Sequence, residues 1–176
     1  MLGILRSNRF SVVWTLLRIW IGWQWLQAGL HKISDPNWMA SGAALKGYWA
    51  KAVGALPNST PAIKYGWYKA FIQGLLDGEH YAWFAKVVVF GEILTGIALI
   101  LGTLTVFSLI VGAFMNLNYM LAGSASSNPV MYTVAIILLI AGPAAYHYGI
   151  DRWLIHYYKR IRGKTAISGE SALASE

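Results

Sequence analysis

Tyr81 to Leu101 reads YAWFAKVVVFGEILTGIALIL, an apolar run interrupted by one lysine and one glutamate. A helix needs about 20 mostly apolar residues to cross a bilayer core near 30 Å thick. This stretch has that length. Three others match it: SVVWTLLRIWIGWQWLQAGL (Ser11 to Leu30), Leu104 to Ala122, and Val130 to Gly149. The chain around them has 176 residues, 57% apolar, 14% aromatic and 12% charged, with mean hydropathy +0.49. Soluble domains carry roughly 25% charged residues. The composition therefore excludes an ordinary water-soluble domain, and it is too apolar for a disordered chain. The expected fold is an all-α membrane protein: residues 1–164 form one four-helix transmembrane bundle, and residues 165–176 form a polar tail.

The net charge of +7 does not indicate a nucleic-acid partner, because the basic residues form no stripe on a polar fold. They indicate orientation instead. Arg6, Arg9, Arg152, Lys159, Arg160, Arg162 and Lys164 flank the terminal ends of the spans, against Lys32, Lys46, Lys51, Lys64 and Lys69 in the long segment after the first span. Lysine and arginine favour the cytoplasmic side, so both termini are expected there, in a multi-pass protein of the cell membrane. The first span is no cleavable signal, since it is too long, contains Arg18 and lacks a small-residue cleavage site.

Between the first two spans lies an unusually long connection, and a connection of that length normally has its own structure or function. Its pattern predicts an amphipathic segment over residues 34–78, with helices at about 37–56 and 61–76 and a stripe of Ile63, Trp67, Phe71 and Leu75. Such helices lie in the headgroup plane of a bilayer. The basic, aromatic run from His156 to Arg162 is expected to rest on anionic lipid. Pro143 is expected to kink the fourth span.

Ionisable groups inside a membrane are candidate functional groups. Arg18 and Glu92 qualify, and at about 1.5 Å per residue they lie roughly 10 and 14 Å from the cytoplasmic side. That predicts an Arg18–Glu92 pair, which serves either to fix helix pairing or to handle protons as a catalytic pair. Trp20, Gln24, Gln27 and His31 share one face of the first span, while Arg18, Gly22, Trp25 and Gly29 share another. Gln24, Gln27 and His31, with Asn116 and Asn118 of the third span, could bind a polar head group; interhelical amide hydrogen bonds would account for them equally well. Histidines near the span ends (His31, His80, His147, His156) raise a haem reading, but nothing sets two rings face to face, so haem is not expected. Neither is a metal. Cysteine is absent, which removes thiol redox chemistry and iron–sulfur ligation from this chain.

Gly22 with WQWLQAGLHK, GEILTGIALILGTLT (Gly91 to Thr105), NLNYMLAGSASSNP (Asn116 to Pro129) and GIDRW (Gly149 to Trp153) resemble the DoxD family of the DoxX superfamily. The resemblance covers Arg18 to Trp153. It implies the membrane subunit of a thiosulfate:quinone oxidoreductase, paired with a DoxA-like second subunit, in a complex that oxidises thiosulfate to tetrathionate and reduces membrane quinone. Quinone would then be the bound substrate, and Glu92, Arg18, Gln24, Gln27, His31, Asn116 and Asn118 supply the group types its ring needs. The rival expectations are a non-enzymatic scaffold that recruits a redox partner, and a small-solute carrier. A homo-oligomer stays open.

Overall fold

The computed structural model describes residues 7–158, 160 and 161. Arg6, Lys159, Arg162, Lys164 and the tail at 165–176 lie outside the described residues. The described residues are all-helical, with no strand. After a 3-10 turn at Asn8–Phe10 come α1 (Ser11–Ile33), α2 (Pro36–Met39), α3 (Ala43–Val53), α4 (Gly66–Asp77), α5 (Tyr81–Leu101), α6 (Thr105–Leu121) and α7 (Asn128–Ala141). A 3-10 turn at Gly142–Ala144 follows, and residues 150–158 are again helical.

Among the described residues α5 alone is both long and apolar enough to cross a membrane by length and composition. Helix α1 is 23 residues long, but its arginine, glutamines and tryptophans dilute its hydropathy. Helix α6 and the stretch Asn128–Ala144 are apolar and shorter. The fourth helix ends at Ala141 and not near residue 149, and Pro143 sits in the turn beyond it instead of kinking it. The cause is local. Proline lacks an N–H and disfavours a helical residue before it, and Gly142 adopts φ +57°, ψ −126° there.

Helices α1, α5, α6 and α7 pack around one apolar core of Trp14, Ile21, Trp25, Leu99, Leu109, Met131, Ala135 and Leu138. The most extensive pairing is α1 against α5. Small residues make it close: a Cβ on Gly96 would stand 2.6 Å from the Leu26 nitrogen and 2.8 Å from the Gly22 carbonyl oxygen. Gly29 lies likewise against Val89 and Ile93. These contacts fix an antiparallel register in which Gly22 meets Gly96 and Gly29 meets the turn containing Val89 and Ile93.

A second core, with Leu45, Trp49, Val53, Ile63, Tyr68 and Ile72, joins α3 and α4 to Ala85 of α5 and Ala122 after α6. This is the predicted amphipathic insertion, and it caps one end of the bundle. Its details differ from expectation. The first helix is broken at residues 40–42, where Gly42 packs against the backbone of Tyr81 and Ala82. The second begins at Gly66, because Ala62 and Ile63 donate their N–H groups to the Ala52 carbonyl and leave the helical path. Ile63 is therefore buried off the helix. The inward face becomes Tyr68 and Ile72, both 4% exposed, while Trp67 and Phe71 of the predicted stripe point outward at 67% and 52%.

At the opposite end, the stretch after α7 folds over the turn between α5 and α6. Asp151 accepts hydrogen bonds from the backbone N–H groups of Leu104 and Thr105, both at 2.7 Å, and its own N–H donates to the Gly102 carbonyl at 2.8 Å. It is the N-cap of α6 supplied from elsewhere in the chain. Leu104 is held there at φ +49°, a left-handed conformation that a leucine rarely adopts. Asp151→Ala is expected to destabilise the protein by about 1–2 kcal/mol, measured by unfolding in detergent; an unchanged midpoint would remove the capping role.

Candidate functional site

Three helices bring their polar groups together just below the cap. Lys32 sits in the last turn of α1, Glu92 in the middle of α5 and Tyr119 near the end of α6. A side chain in a last helical turn leans back towards the N-terminus, so Lys32 reaches into the bundle, and the register of Gly29 on Val89 and Ile93 sets Glu92 within its reach. The Lys32 ammonium pairs with Glu92 Oε1 and also donates to the Tyr119 hydroxyl at 3.3 Å. Tyr119 in turn donates to Glu92 Oε1 at 2.6 Å. Lys32 Nζ also lies 5.0 Å from the centre of the Trp38 ring, a cation–π distance. Glu92 is 0% exposed and its Oε2 has no hydrogen-bond partner among the described residues. One turn deeper, the Trp25 indole N–H and the Asn116 amide are also buried and unpaired.

Two cavities meet at this group. One, of about 310 Å³, is almost wholly apolar and lies between the cap and helices α5 and α6, walled by Leu45, Tyr48, Ile72, Val88, Met115 and Tyr119. Phe71, Val87 and Phe114 line its mouth and are exposed, so it opens sideways between α4 and the bundle. The other, of about 220 Å³, is the more polar of the two: Gln24, Lys32, Glu92, Tyr119, Asn128 and the serines at 124, 126 and 127 line it together with Trp25, Ala28 and Met131. Ser126 and Ser127 are exposed, so this vestibule opens at the cap end. Tyr119 borders both. Tyr68 donates to the side-chain and backbone oxygens of Asn118, each at 3.1 Å, and Tyr48 donates to the Tyr119 carbonyl at 3.4 Å. Burial pushes the Tyr68 hydroxyl up to about 12 and that of Tyr48 upward as well, so both remain protonated donors at neutral pH.

The predicted Arg18–Glu92 pair is not made. With Gly22 level with Gly96 and Ile100, Arg18 reaches Gly102, about ten residues or 15 Å along the helix from Glu92. It is 1% exposed at the end away from the cap, where it donates to the Tyr148 carbonyl at 2.6 Å and faces the charge of Asp151. The expectation failed because depth was counted from span ends, whereas glycine contacts set the register. Nor do the amides and His31 converge. Gln24 lines the vestibule and Asn118 the apolar cavity; Asn116 is buried between helices, and Gln27 and His31 are exposed and line neither. Lys32, Tyr119, Tyr48 and Tyr68 were missed. A signal for Lys32 existed: the face of Arg18, Gly22, Trp25 and Gly29 continues to it at the next spacing of three.

The described residues thus form an all-helical protein with one helix long and apolar enough to cross a membrane, and a side-opening apolar cavity beside a buried carboxylate. Residues 14–170 match the family model DoxD, described as the TQO small subunit DoxD. The chain belongs to this family, which makes it the small subunit of a thiosulfate:quinone oxidoreductase, a membrane enzyme. No curated protein and no solved structure matches the chain.

Proposed function

We infer that this subunit binds the quinone of the complex, with the ring in the apolar cavity and the isoprenoid tail leaving through the mouth at Phe71, Val87 and Phe114. What carries the reading is the cavity itself: apolar, open sideways and bordered by the Tyr119 hydroxyl. Its volume of about 310 Å³ falls at the small end of ligand pockets, which suits a ring whose tail stays in lipid. The aromatic walls offer faces for the ring to pack on. Helices α1, α5, α6 and α7 then span the bilayer. Leu16, Leu94, Phe107, Ile110, Phe114 and Val130 are between 54% and 65% exposed, an apolar surface that lipid would cover. The cap lies outside the cytoplasm and both termini inside, following the lysine and arginine bias. Glu92 belongs to the site through Tyr119, Gln24 through the vestibule and Asn118 through the cavity wall. Arg18 holds the far end together. Electrons come from a DoxA-like partner subunit, since this chain has no cysteine to receive them.

Gly91 lines the cavity, and a Cβ there would stand 3.6 Å from Met115 Sδ, ordinary contact distance. Gly91→Phe should therefore fold and fill the space. Titration of the assembled complex with a short-tailed quinone analogue is expected to show at least tenfold weaker binding in this variant. Equal affinity in the folded variant would place the quinone elsewhere.

A further inference from the structure

We propose that Tyr119 and Lys32 carry protons from the polar vestibule to the apolar cavity, with Glu92 positioning both, so that the protons of quinone reduction enter from the cap side. This rests on the quinone reading of the cavity. The chemical requirement is simple. Joining two thiosulfates as tetrathionate releases two electrons and no protons, whereas a quinone becomes a quinol by taking two electrons and two protons. Both protons must come from water. The apolar cavity has an almost wholly apolar wall and opens where lipid would lie, so water does not reach the ring by that mouth.

Tyr119 is the side chain that lines both chambers together with the polar contacts to connect them. With the ring in place its hydroxyl turns from Glu92 Oε1 to a ring oxygen and transfers its proton there: the tyrosine O–H bond breaks and a ring O–H bond forms. The tyrosine oxygen takes a replacement from the Lys32 ammonium, which donates to it at 3.3 Å. Lys32, whose side chain is 20% exposed on the vestibule side, recovers its proton from water there. Two such cycles deliver two protons. Glu92 accepts from both donors at Oε1, which sets their separation. Among the described residues Lys32 is the one other charged group that lines the vestibule with Glu92: α1 also presents Gln24 and Trp25, α6 presents Tyr119, α7 presents Met131 and Asn128, and α3 presents Tyr48 to Tyr119. A purely structural ion pair would need neither an open vestibule nor a tyrosine shared with an apolar cavity. The unpaired Glu92 Oε2 also leaves the carboxylate incompletely satisfied, as expected of a group that must accommodate changing partners.

The test uses the assembled complex in proteoliposomes with pH dyes on both sides, orientation being read by an impermeant maleimide at Ser59→Cys. The label is read on this chain after the subunits are separated, where the introduced cysteine stands alone. Thiosulfate-driven quinone reduction is expected to raise the pH on the cap side. Tyr119→Phe, which removes one hydroxyl and little volume, is expected to lose at least thirtyfold in quinone reduction at saturating quinone, a loss of kcat larger than any change in the affinity for the analogue. Alkalinisation on the other side, or full turnover in Tyr119→Phe, would overturn the route while leaving the cavity as the quinone site. Failure of the parent complex to bind the analogue would overturn both.

Discussion

Lys32→Met is expected to cost about 3–5 kcal/mol of stability, because it strands the Glu92 carboxylate, 0% exposed, without its cation. Glu92→Gln should cost clearly less. The difference lies in how far each partner is buried: the Lys32 side chain is 20% exposed and can swing into the vestibule, whereas that of Glu92 is 1% exposed and held between helices. The double variant Lys32→Met/Glu92→Gln should recover most of the loss, since no buried charge then remains unpaired. Unfolding of purified protein in mild detergent checks all three. A Lys32→Met variant as stable as the parent would mean that the pair contributes nothing to the packing of α1 on α5.

Gly96→Val is expected to cost about 3 kcal/mol or more and to abolish assembly of the bundle in cells. The added atoms would meet backbone, not a flexible side-chain end: the Leu26 nitrogen at 2.6 Å and the Gly22 carbonyl oxygen at 2.8 Å from the Cβ position. Backbone cannot yield locally, so α1 and α5 must separate, and the register that brings Lys32 to Glu92 goes with them. Accumulation in the membrane and thermal unfolding are the readouts. Gly47→Ala is a suitable comparison, since nothing stands within 4 Å of its Cβ position. Wild-type behaviour of Gly96→Val would show that the close approach is not required.

These two sites also mark the limit of what the sequence could say. The apolar runs of α5 and α6 were legible almost to the residue, because a glycine turn and a polar loop mark their ends. The glycines and the buried glutamate were visible too. Their relation was not, because period and depth locate a residue along one helix but do not say which residue of the next helix stands opposite. Arg18 was matched to Glu92 on depth, and the contacts of Gly22 and Gly29 shifted the partner to Lys32. In the cap the difficulty was of another kind. Backbone hydrogen bonds from Ala62 and Ile63 to Ala52 cut the second amphipathic helix short, and a tertiary bond of that sort leaves no trace in periodicity. The tyrosines were passed over because aromatic residues near span ends ordinarily mark the membrane interface; only packing distinguishes Tyr119, between two cavities, from Tyr157 on the exposed surface.

The most direct measurement is photolabelling of the assembled complex with an azidoquinone, followed by peptide mapping. Labels are expected on the residues that wall the apolar cavity, chiefly Phe84, Val88, Met115 and Tyr119, and are expected to disappear in Gly91→Phe. Labelling confined to the partner subunit, or to helices of this chain remote from that cavity and unchanged by Gly91→Phe, would contradict the assignment of the quinone site.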